Sequence, residues 1–280
     1  MDLQLKGARA LVTGSSSGIG EGIAKFLATE GASVVVHGRD EKRLAGVVRA
    51  ITEAGGQATA VTGDLATAEG CRNVIQSVQD QIGGVDVLVN NAGGKASGHR
   101  RDGVERQANG PWLETPWDDW AWTYEQNVGA AVRLIQGLAP GMIERKWGRI
   151  INISSASAVQ PEPDLADYQP AKAAMNNMTA GLAKSLAGTG ITVNTVSPGT
   201  IMTPAVQSVF TEWAAMLGWE TGDFAEIERR FTHEVIPQPI KHFGRAEDIA
   251  RMVALLASPL STYMTGGNYR VDGGQCRSVN

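Results

Sequence analysis

Seven short runs of apolar, mostly β-branched residues punctuate the chain: "ARALVT", "ASVVVHG", "QATAVTGD", "VDVLVNNAG", "GRIINISS", "ITVNTVSPG" and "NYRVDGG". Between them lie longer stretches with apolar residues at helical spacing, near 18–30, 40–54, 67–82, 117–146, 167–188 and 246–257. Strands that are apolar on both faces must be covered on both faces. The alternation therefore dictates βαβ units in a doubly wound parallel sheet between two helix layers. At 280 residues, one such sheet can hold the whole chain as a single α/β domain, 1–280. Two stretches break the rhythm. Residues 94–116 form a Gly- and Arg-rich insertion, and 200–243 replace a short connection with a long, aromatic-bearing segment. Each follows a strand, and ligands of open α/β sheets bind outside the carboxyl ends of the strands, so both should border the site, the second as a substrate lid.

Composition excludes several classes. With 25 basic against 29 acidic residues the net charge is −4, which advertises no nucleic-acid partner. Cys71 and Cys276 lie far apart without CxxC spacing, so no disulfide framework or zinc site is indicated and the expected compartment is a reducing cytoplasm. His37, His99, His233 and His242 share no metal-ligand spacing; no metal is expected, and none of the four is assigned to catalysis. The opening "MDLQLKGARALVTG" lacks a signal pattern and no apolar stretch reaches spanning length, so a soluble protein without membrane contact is expected. Asn-x-Ser/Thr matches at Asn152 and Asn177 fall in an expected strand and an expected helix and are read as chance.

The stretch "YQPAKAA", residues 168–174, carries a sharper signal. Proline in a helix interior costs roughly 3 kcal/mol, yet is harmless in the first turn, where its missing N–H has no partner to lose. The helix should therefore begin close to Tyr168, with Asp167 as its N-cap. Tyr168 and Lys172 then share one face at i and i+4. Upstream, "TGSSSGIG" at 13–20 follows the first strand and opens a helix. Its spacing is not GxGxxG, but Gly14, Gly18 and Gly20 permit a tight turn and close approach of a pyrophosphate to helix N-terminal amides. Asn127 with Gly129 sits badly inside a long helix, and a local break there is expected.

Taken in order, "TGSSSGIG", "NNAG", Asn127, "IINISS" and "YQPAK" resemble the short-chain dehydrogenase/reductase family, and the resemblance runs from Leu5 to about Gly274. It implies a Rossmann-type α/β fold and an NAD(P)-dependent oxidoreductase moving a hydride between a nicotinamide and a ketone or secondary alcohol. It also implies that Tyr168 moves the proton. An isolated phenol titrates near ~10, and a neighbouring Lys172 would favour the phenolate, besides holding the nicotinamide ribose. Ser155 would orient the substrate oxygen; Ala158 replaces a glycine common in the family, which leaves Ser157 as the alternative. Asn127 would hold a water that links to the lysine. Gly14, Ser16, Ser17, Gly18, Ile19 and Gly20 would cradle the dinucleotide, with Asp64 on the adenine amine, Leu65 along the adenine, Asn91 under the ribose, and Ile201 and Thr203 at the carboxamide. Asn90 would satisfy backbone between strands.

The end of the second strand, "VVVHGRDEKRL", has Gly38 where an acidic residue would exclude NADP, and Arg39 next to it. NADP(H) is therefore expected over NAD(H), which stays possible because Ser17 replaces a second basic residue and Asp40 could neutralise Arg39. Arg100, Arg101 and Arg106 read as a solvated loop face. Family likeness implies a homo-oligomer, tetramer or dimer. Two rivals remain: a 3-oxoacyl-acyl-carrier-protein reductase, and a non-catalytic dinucleotide-binding redox sensor, which would have no reason to keep Ser155, Tyr168, Lys172 and Asn127 together.

Overall fold

The computed structural model describes residues 2–94, 100–101, 104–105, 112–219 and 221–278. The chain runs β1 (Arg9–Val12), α1 (Gly18–Thr29), β2 (Ser33–Gly38), α2 (Glu41–Glu53), β3 (Gln57–Thr62), α3 (Ala68–Ile82) and β4 (Val87–Asn90). A short antiparallel hairpin, β5 (Arg100–Arg101) with β6 (Val104–Glu105), lies in the insertion. Then come α4 (Trp117–Tyr124), a π-helical turn (Glu125–Gly129), α5 (Ala130–Glu144), β7 (Gly148–Ile153), α6 (Tyr168–Ser185) and β8 (Ile191–Pro198). The last part is α7 (Pro204–Met216), α8 (Phe224–Arg230), α9 (Ala246–Ala257) and β9 (Asn268–Val271). Most of the insertion, with His99 and Arg106, lies outside the described residues.

The seven expected strands form one sheet in the order β3-β2-β1-β4-β7-β8-β9, with every pairing parallel. Side chains alternate across it, so Ala10, Val12, Val34 and Val36 pack with α1, α2 and α9, while Leu11, Val35 and Val61 pack with α3 and α5. Each fully buried Leu or Ile in these layers contributes about 1.5–3 kcal/mol. The order of strand addition reverses between β1 and β4, and that switch opens a crevice at the carboxyl ends of the strands. The expectation of strands buried on both faces holds for the five central strands only. At the edges, β3 exposes Gln57, Thr59 and Thr62, and β9 is only partly covered.

Helix α6 starts at Tyr168, so Pro170 falls in its first turn as the proline rule requires. Asp167 holds the N-cap position but does not cap. Its backbone is already helical, and its carboxylate instead accepts a hydrogen bond from the Thr123 hydroxyl on α4. The helix expected over 117–146 with a break at Asn127 is three pieces, because a π turn inserts one extra residue there. Residues 200–243 are built from α7, α8 and a second π turn (Phe231–Val235) around Phe210, Phe231 and Phe243. Phe210 meets Phe231 edge-on at 4.6 Å between centroids, and Trp213 packs on the same pair, so the aromatic stripe stitches the segment to itself.

Candidate active site

The chain leaves β1 and turns through residues 13–17 into α1. Gly14 and Gly18 take left-handed φ values of 63° and 60°, open to glycine at little cost. A methyl on Gly20 would sit 2.4 Å from the Gly14 carbonyl and 2.5 Å from Asn91 Nδ2. That space is used: Asn91 Nδ2 donates to the carbonyls of Thr13 at 2.8 Å and Gly14 at 3.1 Å, while Thr13 Oγ1 accepts from the N–H groups of Asn91 and Ala92. The end of β4 thus pins the glycine turn from below. Ser17 is exposed at the N-cap of α1 and makes no side-chain cap bond, so the first-turn amides face the crevice mouth. A glycine cradle at the head of a twelve-residue helix fits a dinucleotide pyrophosphate.

Across the crevice, β7 delivers Ser154 and Ser155, and the first turn of α6 delivers Tyr168 and Lys172. The Ser154 hydroxyl donates to the Lys172 carbonyl at 2.9 Å, which fixes the helix against the strand end. Lys172 is 4% exposed, and its Nζ donates to the Ile153 carbonyl at 2.9 Å and lies 5.6 Å from the Tyr168 ring centre. Ser155 Oγ lies 2.8 Å from Ser157 Oγ and is near enough to Tyr168 to favour its phenolate. A cleft of about 240 Å³ joins Ser17, Ile19 and Gly20 to Asn91, Ser155, Tyr168, Lys172 and Thr203.

Electrostatics differ from the sequence expectation at one point. Burial pushes the Tyr168 phenol up, the Ser155 hydroxyl draws it partly back, and no lowering by Lys172 enters. The lysine is itself held down to about 7, because burial penalises its ammonium. Its nearest polar contact is a backbone carbonyl rather than a carboxylate. At neutral pH the phenol is therefore a proton-bearing acid, and the lysine beside it sits near its own titration point.

Asn127 is fully buried in the π turn. Its Nδ2 donates to the carbonyls of Gly94 at 2.9 Å and Thr123 at 2.8 Å, and its Oδ1 accepts from the Gly94 N–H. The helical break was legible from Asn127 and Gly129; the clamp on Gly94, which ties the π turn to the loop after β4, was not. Arg39, Asp64 and Leu65 gather at the ends of β2 and β3, where Arg39 and Asp64 are exposed, Leu65 is buried and Ser16 packs beneath Gly38. Asp40 is committed to α2, its carboxylate capping the N–H groups of Lys42 and Arg43. Thr203 reaches the cleft, whereas Ile201 turns its side chain into the core and bridges Gly244 through its backbone.

Two features escaped the sequence reading. Asn90 does not satisfy backbone: its Nδ2 donates to Asn152 Oδ1 at 2.8 Å, Asn152 donates to Thr179, and Thr195 donates to Thr179 as well. Asn90, Asn152 and Thr195 are register partners on β4, β7 and β8, so polar residues at one level of otherwise apolar runs were the available signal. The other is His37, the lone titratable residue in "VVVHG", which is buried and held down to about 4 by desolvation.

The family model for short chain dehydrogenases matches residues 8–213. An uncharacterized oxidoreductase of Bacillus subtilis, YvaG, is 36% identical over all of both chains, and a 3-oxoacyl-acyl-carrier-protein reductase of Vibrio cholerae is 33% identical over 97% of this chain and 98% of its own. Among solved structures, L-sorbose reductase from Gluconobacter frateurii, complexed with NADPH and L-sorbose, superposes with a TM-score of 0.90 at 36% identity over the full length of both chains. Actinorhodin polyketide ketoreductase with NADPH gives 0.84 at 34% identity, over 97% of this chain and 98% of that one. A glycine turn on β1, a Ser–Tyr–Lys cluster across the crevice and full-length matches of this kind have one reading: the chain belongs to the short-chain dehydrogenase/reductase family.

Proposed function

We propose that the protein is an NADP(H)-dependent oxidoreductase that interconverts a ketone and a secondary alcohol. The observation that carries this reading is the convergence of Ser155, Tyr168 and Lys172 on the cleft that the glycine turn also lines. When bound, the reduced dinucleotide supplies the hydride that the carbonyl carbon accepts. Ser155 donates a hydrogen bond to the carbonyl oxygen and fixes its direction. Tyr168 gives that oxygen its phenolic proton as the carbonyl π bond opens, and the burial-raised phenol keeps the proton available at neutral pH. Lys172, when protonated, stabilises the resulting phenolate and holds the ribose. Asn127 keeps the π turn and Gly94 in place behind it.

The favoured substrate is a compact polyhydroxylated ketone. Support comes from the full-length likeness to an L-sorbose reductase and from the small cleft lined by Ser155, Tyr168 and Thr203. The rival, a 3-oxoacyl thioester on a carrier protein, is supported by relatives such as the Vibrio cholerae enzyme. NADPH oxidation measured with ketoses, simple ketones and 3-oxoacyl thioesters discriminates the two. Turnover confined to the thioester would replace the ketose reading, and tight NADPH binding without turnover on any carbonyl would favour a redox sensor.

Arg39, exposed beside Gly38, is the proposed selector for the 2′-phosphate. Arg39→Leu is expected to lower kcat/KM for NADPH by roughly 10–100-fold, the worth of a charged hydrogen bond, and to leave NADH nearly unaffected. Equal effects on both cofactors would remove the role. Adding an acid at Gly38 is a poorer test, because a Cβ there lies 2.9 Å from Ser16 Oγ. The proposed assembly is a cytoplasmic homo-oligomer, dimer or tetramer. Among the described residues, no helix is long and apolar enough to cross a membrane.

A further inference from the structure

His37 lies near the carboxyl end of β2, paired with Val61 of β3, in the layer that holds Val35, Val61 and Val74. It is 3% exposed. Three hydrogen bonds join it to the glycine turn: the Gly14 N–H donates to its Nδ1 at 3.2 Å, its own N–H donates to Ser15 Oγ at 2.9 Å, and its carbonyl accepts from the Ser15 N–H at 2.8 Å. The Ser15 hydroxyl in turn donates to the Val12 carbonyl at 2.7 Å. Because Nδ1 accepts, the neutral ring carries its proton on Nε2. That nitrogen is directed at the Gly63 backbone, whose polar pull offsets part of the desolvation, but no partner lies within hydrogen-bond geometry of it.

A half-satisfied imidazole inside an apolar layer costs stability that a valine or leucine would not. Two of the three bonds are backbone or backbone-to-serine contacts that any residue at 37 would make. What the imidazole alone adds is an acceptor for Gly14, the first glycine of the phosphate cradle, at a left-handed φ of 63°. Holding that N–H inward sets the peptide from which residues 15–19 leave toward the cleft. The next two residues are Gly38, the last of β2, which packs on Ser16, and Arg39.

We infer that His37 is a positioning residue for the dinucleotide: through Nδ1 it fixes the glycine turn that receives the pyrophosphate and couples that turn to the β2 end. This inference rests on the NADP(H) reading. It predicts an atom-specific pattern, since the amide oxygen of asparagine occupies the place of Nδ1 and that of glutamine the place of Nε2. His37→Asn should keep NADPH affinity, measured by fluorescence titration of the purified protein, within about threefold of the parent, and His37→Gln should weaken it about tenfold, the worth of one buried hydrogen bond. In turnover, His37→Gln should raise KM for NADPH by the same factor with kcat at saturation little changed. His37→Leu, which packs without any polar atom, should match glutamine in affinity while melting no lower than the parent. Equal affinity across parent, Asn, Gln and Leu variants would overturn the role of His37. Failure of the parent to bind NADPH would instead overturn the cofactor reading beneath it.

Discussion

Tyr168→Phe is expected to abolish ketone reduction almost completely, with kcat down by about 10²–10⁴-fold, while NADPH binding stays within a factor of about three. The substitution removes one oxygen and leaves the ring that packs beside Lys172. Nothing in the glycine turn contacts it in the hydrogen-bond network, so the cradle should be unchanged. The expected signature is therefore a loss in kcat rather than in cofactor affinity. Single-turnover reduction at saturating NADPH separates the two. A variant that keeps its kcat would end the assignment of Tyr168 as the proton donor.

Lys172→Met is expected to trade activity for stability. The ammonium is held down to about 7 from 10.5 by burial alone. Between those pH values the unfolded chain binds a proton that the native protein releases, so this group's contribution to stability rises with pH across the window and is most unfavourable below about 7. Methionine removes that penalty and leaves only the Ile153 carbonyl short of a donor. The variant should unfold about 1–3 kcal/mol less readily than the parent at pH 6, with the gain shrinking toward pH 10, while kcat/KM falls about 10²–10⁴-fold. Urea unfolding at several pH values checks the first part. A pH-independent difference would mean that the lysine binds its proton equally in the folded and unfolded protein, and so is not held down by burial.

The elements that were legible in the sequence are those set by local rules. Seven apolar runs became the seven strands, Pro170 set the start of α6, and Asn127 with Gly129 marked the π turn. What was not legible depends on partners distant in sequence. Asp167 reads as a cap from its neighbours alone, but Thr123, 44 residues away, takes its carboxylate. Asn90 reads as a strand-end residue until Asn152, 62 residues on, becomes its register partner. The same holds for His37, whose link to Gly14 spans 23 residues and closes only when β1 and β2 pair. Lys172 marks the limit on electrostatics: spacing brought it beside Tyr168, but its burial, which reverses the expected balance, is a property of the packed cleft.

The proposed reaction is direct hydride transfer to a carbonyl carbon, assisted by a proton from Tyr168. NADPH deuterated at the transferring carbon of the nicotinamide, incubated with the protein and a ketose substrate, tests it by mass spectrometry of the product. One deuterium is expected at the new carbinol carbon with the parent protein and none above background with Tyr168→Phe. Tight NADPH binding with no deuterium in any carbonyl product, or label transfer that survives Tyr168→Phe undiminished, would contradict it.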